Sequence, residues 1–384
     1  MNLAIFFDPV PEDVFSNGAI NSTWQKNIKV FHESFPDLAE IDIALIGVTE
    51  ERGTTTNVGV SKGANAIRKK LYPLQTGTGA FKIADLGNLR NGETREDTDQ
   101  RLKEVCETLI ANQTIPIILG SSHDLSYGQF LAYENYDKAV TFLNIDATLD
   151  MDEDEDNPTS SHLNKVFTHE PNFLFHYAHL GYHSFLTEKE KLEVLEKLYF
   201  ELYRLGQIRD NFEEAEPVIR TADLLTFDIS AIRMSDAPGN KKAQPFGFTG
   251  EEACQLCWYA GINSRMSSIG FYEYNPDEDE REKTAAVIAT MVWYFTEGYY
   301  HRNKEADLND SRFTKYVVAF KEEPHKLVFY KDTFTDKWWL EISGWNNKGA
   351  YPTSALIPCS YKDYETANAG EIPNRWILTN AKLV

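Results

Sequence analysis

Leu143-Asn-Ile-Asp146-Ala-Thr148-Leu-Asp150 decides how this chain is read. The apolar run from Val140 to Ile145 has the composition of a buried strand, and it leads into two carboxylates, Asp146 and Asp150. If the backbone stays extended past Ile145, alternation puts Asp146, Thr148 and Asp150 on one side of it. A buried strand ending in carboxylates on one side suits a metal ion or a cationic ligand at the carboxyl end of a parallel sheet, where open α/β folds place their sites. The alternative is an Asp-rich turn leaving a strand, since Asp is a common turn former. Two further stretches weigh against a plain turn. Pro116–Gly120 is apolar and runs into Ser121-Ser-His123-Asp-Leu-Ser126, and Asp223-Leu-Leu-Thr-Phe-Asp228 runs into Ile-Ser230-Ala-Ile-Arg233. One His and three Asp from three strand ends make a set of N and O ligands suited to a hard divalent ion.

On these residues the chain resembles the ureohydrolase superfamily of arginases, agmatinases and formimidoylglutamases. Gly120-Ser-Ser-His123-Asp matches the family's His-bearing turn, Asp146-Ala-Thr148-Leu-Asp150 its Asp-Ala-His-x-Asp stretch, and Phe227-Asp228-Ile-Ser230 its Phe-Asp-x-Asp stretch. Three more segments agree in order: Asn57 to Arg68, Asp85-Leu-Gly-Asn88, and Gly270-Phe-Tyr-Glu273-Tyr-Asn-Pro276. The pattern covers roughly residues 41–302 and looks most like formimidoylglutamase-like proteins with added segments at both ends. The resemblance implies a three-layer αβα fold with a mostly parallel sheet. It also implies a metal-activated hydrolysis of a C–N bond in a small-molecule amidine or guanidino compound, with formimidoylglutamate as the first substrate to try.

The family's two bridged manganese ions carry over unevenly. One ion would take His123, Asp146, Asp150 and Asp228, all present. The other would share Asp146 and Asp228 and also need a His where Thr148 stands and an Asp where Ser230 stands. Hydroxyls are poor substitutes for imidazole and carboxylate, so the expectation is at most one Mn2+, or none. Glu273 would hold the amidinium of the substrate by charge-assisted hydrogen bonds. His162, in Ser160-Ser-His-Leu-Asn164, lies where the family has a substrate-side loop and a proton carrier; its bland alternative is a surface loop histidine. Two functional readings follow: a slow hydrolase with a reduced centre, and a catalytically silent relative that keeps the fold for binding or scaffolding.

Composition narrows the rest. The chain has 384 residues, enough for a large core. A formal net charge of −21 argues against nucleic acid and anionic membranes as partners. Four cysteines, no basic leader and no long apolar span point to the cytoplasm. Cys254-Gln-Leu-Cys257 is a single pair inside a helical stretch and reads as packing. Members of the resembled family are often trimers or hexamers, so the resemblance allows a homo-oligomer and leaves the assembly open.

The domain reading is an N-terminal segment 1–40 packed on the core, an α/β domain 41–302, and a C-terminal β-rich extension 303–384. Within the core, strands and helices alternate from Ile41 onward, as a doubly covered parallel sheet requires. Thr94–Asn112 and Thr187–Arg204 read as amphipathic helices, the second capped by Thr187 and Glu190. Asp277–Arg302 reads as one long helix. Asp152 to Asp156 is an acidic run, read as a solvated loop, with the sharper reading that one carboxylate folds back as a replacement ligand. His169, His176, His179 and His183 have no metal-binding spacing and read as packing or surface residues. Beyond the polar linker Lys304–Ser311, Tyr316–Phe320, Lys326–Tyr330 and Lys337–Ile342 read as a meander with an aromatic tail from Trp345 to Trp376.

Overall fold

The computed structural model describes residues 2–154, 156–302, 311–322, 324–343 and 354–383. The apolar runs pair into one ten-stranded sheet. Its strands are β1 Phe7–Asp8, β2 Lys29–Val30, β3 Ile43–Val48, β4 Ile83–Leu89, β5 Ile115–Leu119, β6 Val140–Ile145, β7 Leu174–Tyr182, β8 Glu201–Arg204, β9 Leu224–Asp228 and β10 Ser268–Tyr272. They lie in the order β1-β4-β3-β5-β10-β9-β6-β7-β8, with β2 beside β4. Only β1 runs antiparallel to its neighbour.

All residues of β3, β5, β6, β9 and β10 are buried, because helices cover both faces. Alternation along β3 sends Ile43 and Leu45 to one core and Ala44, Ile46 and Val48 to the other. The first core is closed by helices Gly63–Leu71, Gly250–Ile262 and Lys283–Tyr300. The second is closed by Arg95–Ala111, Ser126–Leu131 and Pro158–Phe167. This is the three-layer αβα arrangement expected, with a separate small antiparallel sheet at the C-terminal end. The chain lays β3 to β5 on one side, jumps to β6, β7 and β8, and then returns to fill the gap with β10 and β9. The carboxyl ends of β5, β10, β9 and β6 therefore stand side by side, at the kind of crossover where doubly wound sheets open a crevice.

Several local expectations need correction. The segment before Ile41 does more than pack on the core: its two strands extend the sheet, and Trp24 is fully buried edge-on to Phe81 at 5.1 Å. Thr187–Arg204 is not one helix. The helix is Lys189–Lys197, Glu188 takes the cap position, and Thr187 instead donates its hydroxyl to the His183 carbonyl at 3.0 Å. The helix ends because Tyr199 turns left-handed at φ 56°, with Phe200 N–H bonding back to Leu195 O and Tyr199 N–H to Glu196 O. The apolar residues beyond it then alternate along β8, which pairs with β7. Pro276–Glu278 and Glu280–Glu282 form two short 3-10 turns before the helix Lys283–Tyr300, whose first-turn N–H groups at Thr284 and Ala285 are accepted by the Asp279 carboxylate, so the helix begins there and not at Asp277. Ser160–Asn164 belongs to the helix Pro158–Phe167 rather than to a loop; Pro158 fits its first position.

The C-terminal sheet has four strands, β11 Phe313–Ala319, β12 Lys326–Asp332, β13 Trp338–Ser343 and β14 Ser354–Cys359, in antiparallel order. The fourth comes from the stretch read as an aromatic tail, followed by helices Tyr361–Asn368 and Asn374–Leu383. Trp345 and the linker residues 304–310 lie outside the described residues. Trp338 packs against Tyr316 and Tyr364 within the extension itself. The extension docks through two buried arginines. Arg220 donates to the carbonyls of Trp338 and Cys359 and lies 4.6 Å from the Trp339 ring centre. Arg375 reaches Asp363 at 3.2 Å and Glu201 at 3.8 Å.

Glu201 links this docking to pH. Burial alone would raise its pKa, but His176 and Arg375 outweigh burial and bring it from 4.5 down to about 2. A lowered folded pKa gives stability that is present above the unfolded value and is lost as pH falls from 4.5 towards 2. The contribution is on the order of 3 kcal/mol. Urea unfolding followed by tryptophan fluorescence should therefore fall steeply across that window. In Glu201→Gln the same limb should be flatter; an unchanged limb would remove Glu201 from the acid response.

Candidate metal centre

Each side chain of the centre is delivered by the end of a central strand. After β5 the chain makes a tight turn with Gly120 at φ 84° and Ser121 at φ 81°. A Cβ on Gly120 would sit 3.0 Å from the Ala64 backbone nitrogen, so glycine is needed there on two counts. The turn brings His123 over the sheet. β6 delivers Asp146 and, after a bend, Asp150; β9 delivers Asp228; β10 delivers Glu273.

Four of the residues singled out in the sequence converge. His123 Nδ1 lies 3.3 Å from Asp146 Oδ2, 3.3 Å from Asp150 Oδ2 and 3.3 Å from Asp228 Oδ2. All four side chains are buried, and neither ring nitrogen of His123 nor Asp146 Oδ2 makes a hydrogen bond. Buried polar atoms left in this way are costly unless a partner sits among them. Ligand atoms held at about 2.0–2.4 Å from one ion and at right angles to each other are themselves roughly 2.8–3.4 Å apart. The donor set and its spacing therefore fit a single hard divalent cation.

The other oxygens of the carboxylates face the opposite way and are already satisfied. Asp146 Oδ1 accepts from the Thr148 N–H at 3.0 Å and from the Ser230 hydroxyl at 3.2 Å. Asp150 Oδ1 accepts from the Thr148 hydroxyl at 3.1 Å, and Asp228 Oδ1 from the Ser230 N–H at 2.6 Å. Thr148 and Ser230 thus act as donors to the carboxylates beside them.

Charge is strained in this cluster. Burial, then the charges of Asp228 and Asp150, push the Asp146 pKa well up. Burial opposes the His123 imidazolium, but the three carboxylates outweigh it and raise its pKa. Burial likewise favours the neutral form of Asp150, but His123, His162 and Lys242 prevail and depress its pKa. Three buried carboxylates this close keep their charge only by sharing a positive one.

Glu273 closes the floor. It is fully buried at φ 66°, accepts from Asn57 Nδ2 at 2.8 Å and from the His123 N–H at 3.0 Å. Burial first, then Asp228, raise its pKa to about 7, against the pull of Asn57 and Lys242. His162 is not a surface residue: it is buried, its ring centre is 4.4 Å from that of His123, and its Nδ1 lies 3.0 Å from the Thr159 carbonyl. That contact assigns the proton to Nδ1 and leaves Nε2 as a buried acceptor with no hydrogen bond. Burial and the His123 charge lower its pKa to about 4, so it is neutral at pH 7.

Other residues had no distinguishing signal in the sequence. His179 takes the Tyr177 hydroxyl on Nδ1 at 2.8 Å and gives its Nε2 proton to the Asp146 carbonyl at 3.1 Å, fixing the backbone of a ligand. His176 and His183 are buried as well, so the surface alternative fails for both. Asp124, beside His123, is buried in an ion pair with Arg95. The acidic run does not fold back within the described residues: Asp152 pairs with Lys191, and Asp154 accepts from the Asp156 N–H at 3.1 Å. All four cysteines are buried and unpaired, Cys254 and Cys257 on one helix, consistent with packing.

A sequence model of the arginase family matches residues 41–297, about two thirds of the chain. The chain belongs to the arginase family. Its relatives in that family include a formimidoylglutamase of Lysinibacillus sphaericus, 24% identical over 299 residues that span 72% of this chain and 93% of the relative. A Staphylococcus aureus formimidoylglutamase is 21% identical over 68% of this chain and 90% of its own length. Among solved structures, Trypanosoma cruzi formiminoglutamase with Mn2+ superposes with a TM-score of 0.64 at 20% identity, covering 70% of this chain and all of the other. Bacillus subtilis formimidoylglutamase gives a TM-score of 0.66 at 18% identity, with 75% and 95% covered. The arginase-family core is thus shared, and the C-terminal sheet falls outside the matched residues. Among the described residues no helix is long and apolar enough to cross a membrane.

Proposed function

We propose that this arginase-family chain hydrolyses the C–N bond of a linear amidine or guanidino compound at a one-ion centre, with manganese the ion and formimidoylglutamate the first substrate to test. One observation carries this reading: three carboxylates turn one oxygen each towards His123 Nδ1 at 3.3 Å, while Thr148 and Ser230 tie up oxygens on the other side.

His123, Asp146, Asp150 and Asp228 would hold the ion. Bound there, it supplies a water that gives up its proton near neutral pH. Glu273, with one oxygen on Asn57 and one on the His123 N–H, offers a carboxylate that binds and orients the amidinium. The neutral His162 can accept a proton on Nε2 and return it to the departing nitrogen, so that water adds to the carbon, the C–N bond breaks, and an amide and an amine leave. Burial of His123 and Asp146 keeps bulk water out. Three carboxylates neutralise the charge of a single ion, so turnover is expected to be slow.

Thr148 and Ser230 also favour a second reading, a silent relative that binds without turning over. Assays of manganese-soaked protein for formamide, urea or ammonia release, on amidine and guanidine substrates, separate the two. Release that is lost in Glu273→Gln supports hydrolysis. No release on any substrate, with an ion bound, supports the silent reading.

A further inference from the structure

We propose that the seam between the α/β core and the C-terminal sheet binds a small organic carboxylate, at a site separate from the metal centre. The core side of the seam is the helix Ala215–Thr221 and the last turn of Gly250–Ile262. These helices lead into the amino ends of β9 and β10, the opposite end of the sheet from His123 and its three aspartates. The extension side is the turn between β12 and β13 together with the end of β14. Between them lies a cavity of about 590 Å3, within the size range of small-molecule sites.

The charges on its wall do not balance. Arg220 lines the cavity and its side chain is only 9% exposed. Nη2 is spent on docking the extension, through the carbonyls of Trp338 and Cys359. Nε lies 3.1 Å from Glu216 Oε1 without the angle of a hydrogen bond, and Nη1 has no hydrogen-bond partner among the described residues. Lys337, on the facing turn, leans on the same oxygen: its Nζ is 3.5 Å from Glu216 Oε1. Two cations thus share one carboxylate. The other charges do not repair this. Lys331 and Asp336 pair with each other at 2.7 Å, and Glu213 is exposed. Burial holds both Arg220 and Lys337 below their ordinary pKa against the pull of Glu216, as expected of cations short of a counter-charge. On the same wall Thr335 Oγ1 is buried with no hydrogen-bond partner among the described residues. A carboxylate between Arg220 and Lys337 supplies the missing charge through charge-assisted hydrogen bonds. The cavity is far larger than a carboxylate needs, and the Tyr259 and Tyr361 rings on its wall offer flat apolar surface to the rest of an organic acid.

Benzoate and benzamide, alike in shape and different in charge, are titrated into the full chain near neutral pH at constant ionic strength, by calorimetry and by melting. Benzoate is expected to bind saturably and raise Tm, and benzamide to do neither. Lys337→Met is expected to weaken benzoate about tenfold, whereas Glu216→Gln, which removes the competing carboxylate, is expected to tighten it. Inorganic phosphate is expected to bind more weakly than benzoate. No saturable binding of benzoate, an equal response to benzamide, or a benzoate affinity unchanged in both variants overturns the proposal. Phosphate binding tighter than benzoate overturns the organic assignment. Circular dichroism checks that each variant is folded. Should Lys337→Met fail to fold, Glu216→Gln decides alone: tighter binding supports the site, and equal or weaker binding overturns it.

Discussion

Glu273→Gln is expected to lower kcat/KM for an amidine substrate by about 100- to 1,000-fold while leaving the bound ion in place. The expectation follows from where the carboxylate sits. Glu273 is fully buried, its backbone is held left-handed, and its two oxygens are aimed by Asn57 and by the His123 N–H. Glutamine keeps the shape and the Asn57 contact but removes the charge that an amidinium needs. Its side chain is not among the four groups that converge on the cation position, so ion content should not change. Steady-state kinetics beside elemental analysis check both halves. A variant that retains activity would remove Glu273 from substrate binding, and one that loses its ion would make the residue structural.

Arg68→Met is expected to have the largest effect on stability, a loss of about 3–5 kcal/mol. Arg68 is wholly buried, and its guanidinium makes two bonds of 2.8 Å to Asp85, one from Nε and one from Nη2. It also donates to Gly87 O and Asn88 Oδ1, while the Tyr72 hydroxyl donates to Asp85. Burial works against the Arg68 charge, and Asp85 outweighs it and raises the pKa. Methionine fills part of the volume but leaves the Asp85 carboxylate in the core without its counter-charge. Urea unfolding measures the loss, and Arg68→Met with Asp85→Leu should recover a good part of it. A single variant within ~1 kcal/mol of the parent would mean that the pair contributes little.

The same pair illustrates what can be read from the chain before folding. Arg68 and Asp85 belong to two early segments that match the family pattern, yet nothing in either says that they bond each other. Strand ends were legible because each chemistry-bearing residue follows an apolar run buried on both faces, as with Ile145 before Asp146 and Phe227 before Asp228. The region from Thr187 to Arg204 was not legible. Its leucines keep a helical spacing across Tyr199, and only a left-handed residue that is not glycine breaks it. The depth of His162 is not legible in the sequence, since its burial depends on the helix Pro158–Phe167 meeting the turn after β5, where its ring lies 4.4 Å from that of His123. Asn57 acts through a long-range contact with Glu273 that local pattern does not encode. The fourth strand of the C-terminal sheet, Ser354–Cys359, contains Pro358 and is short of alternation, so it reads as tail.

The most direct measurement is metal stoichiometry: protein soaked in manganese, desalted and analysed for the element, beside Asp228→Ala. One ion per chain, lost in the variant, is the result expected from His123, Asp146, Asp150 and Asp228 closing on a single position. Two tightly held ions would contradict the loss of a second centre at Thr148 and Ser230, and no ion in the unaltered chain would contradict the centre itself.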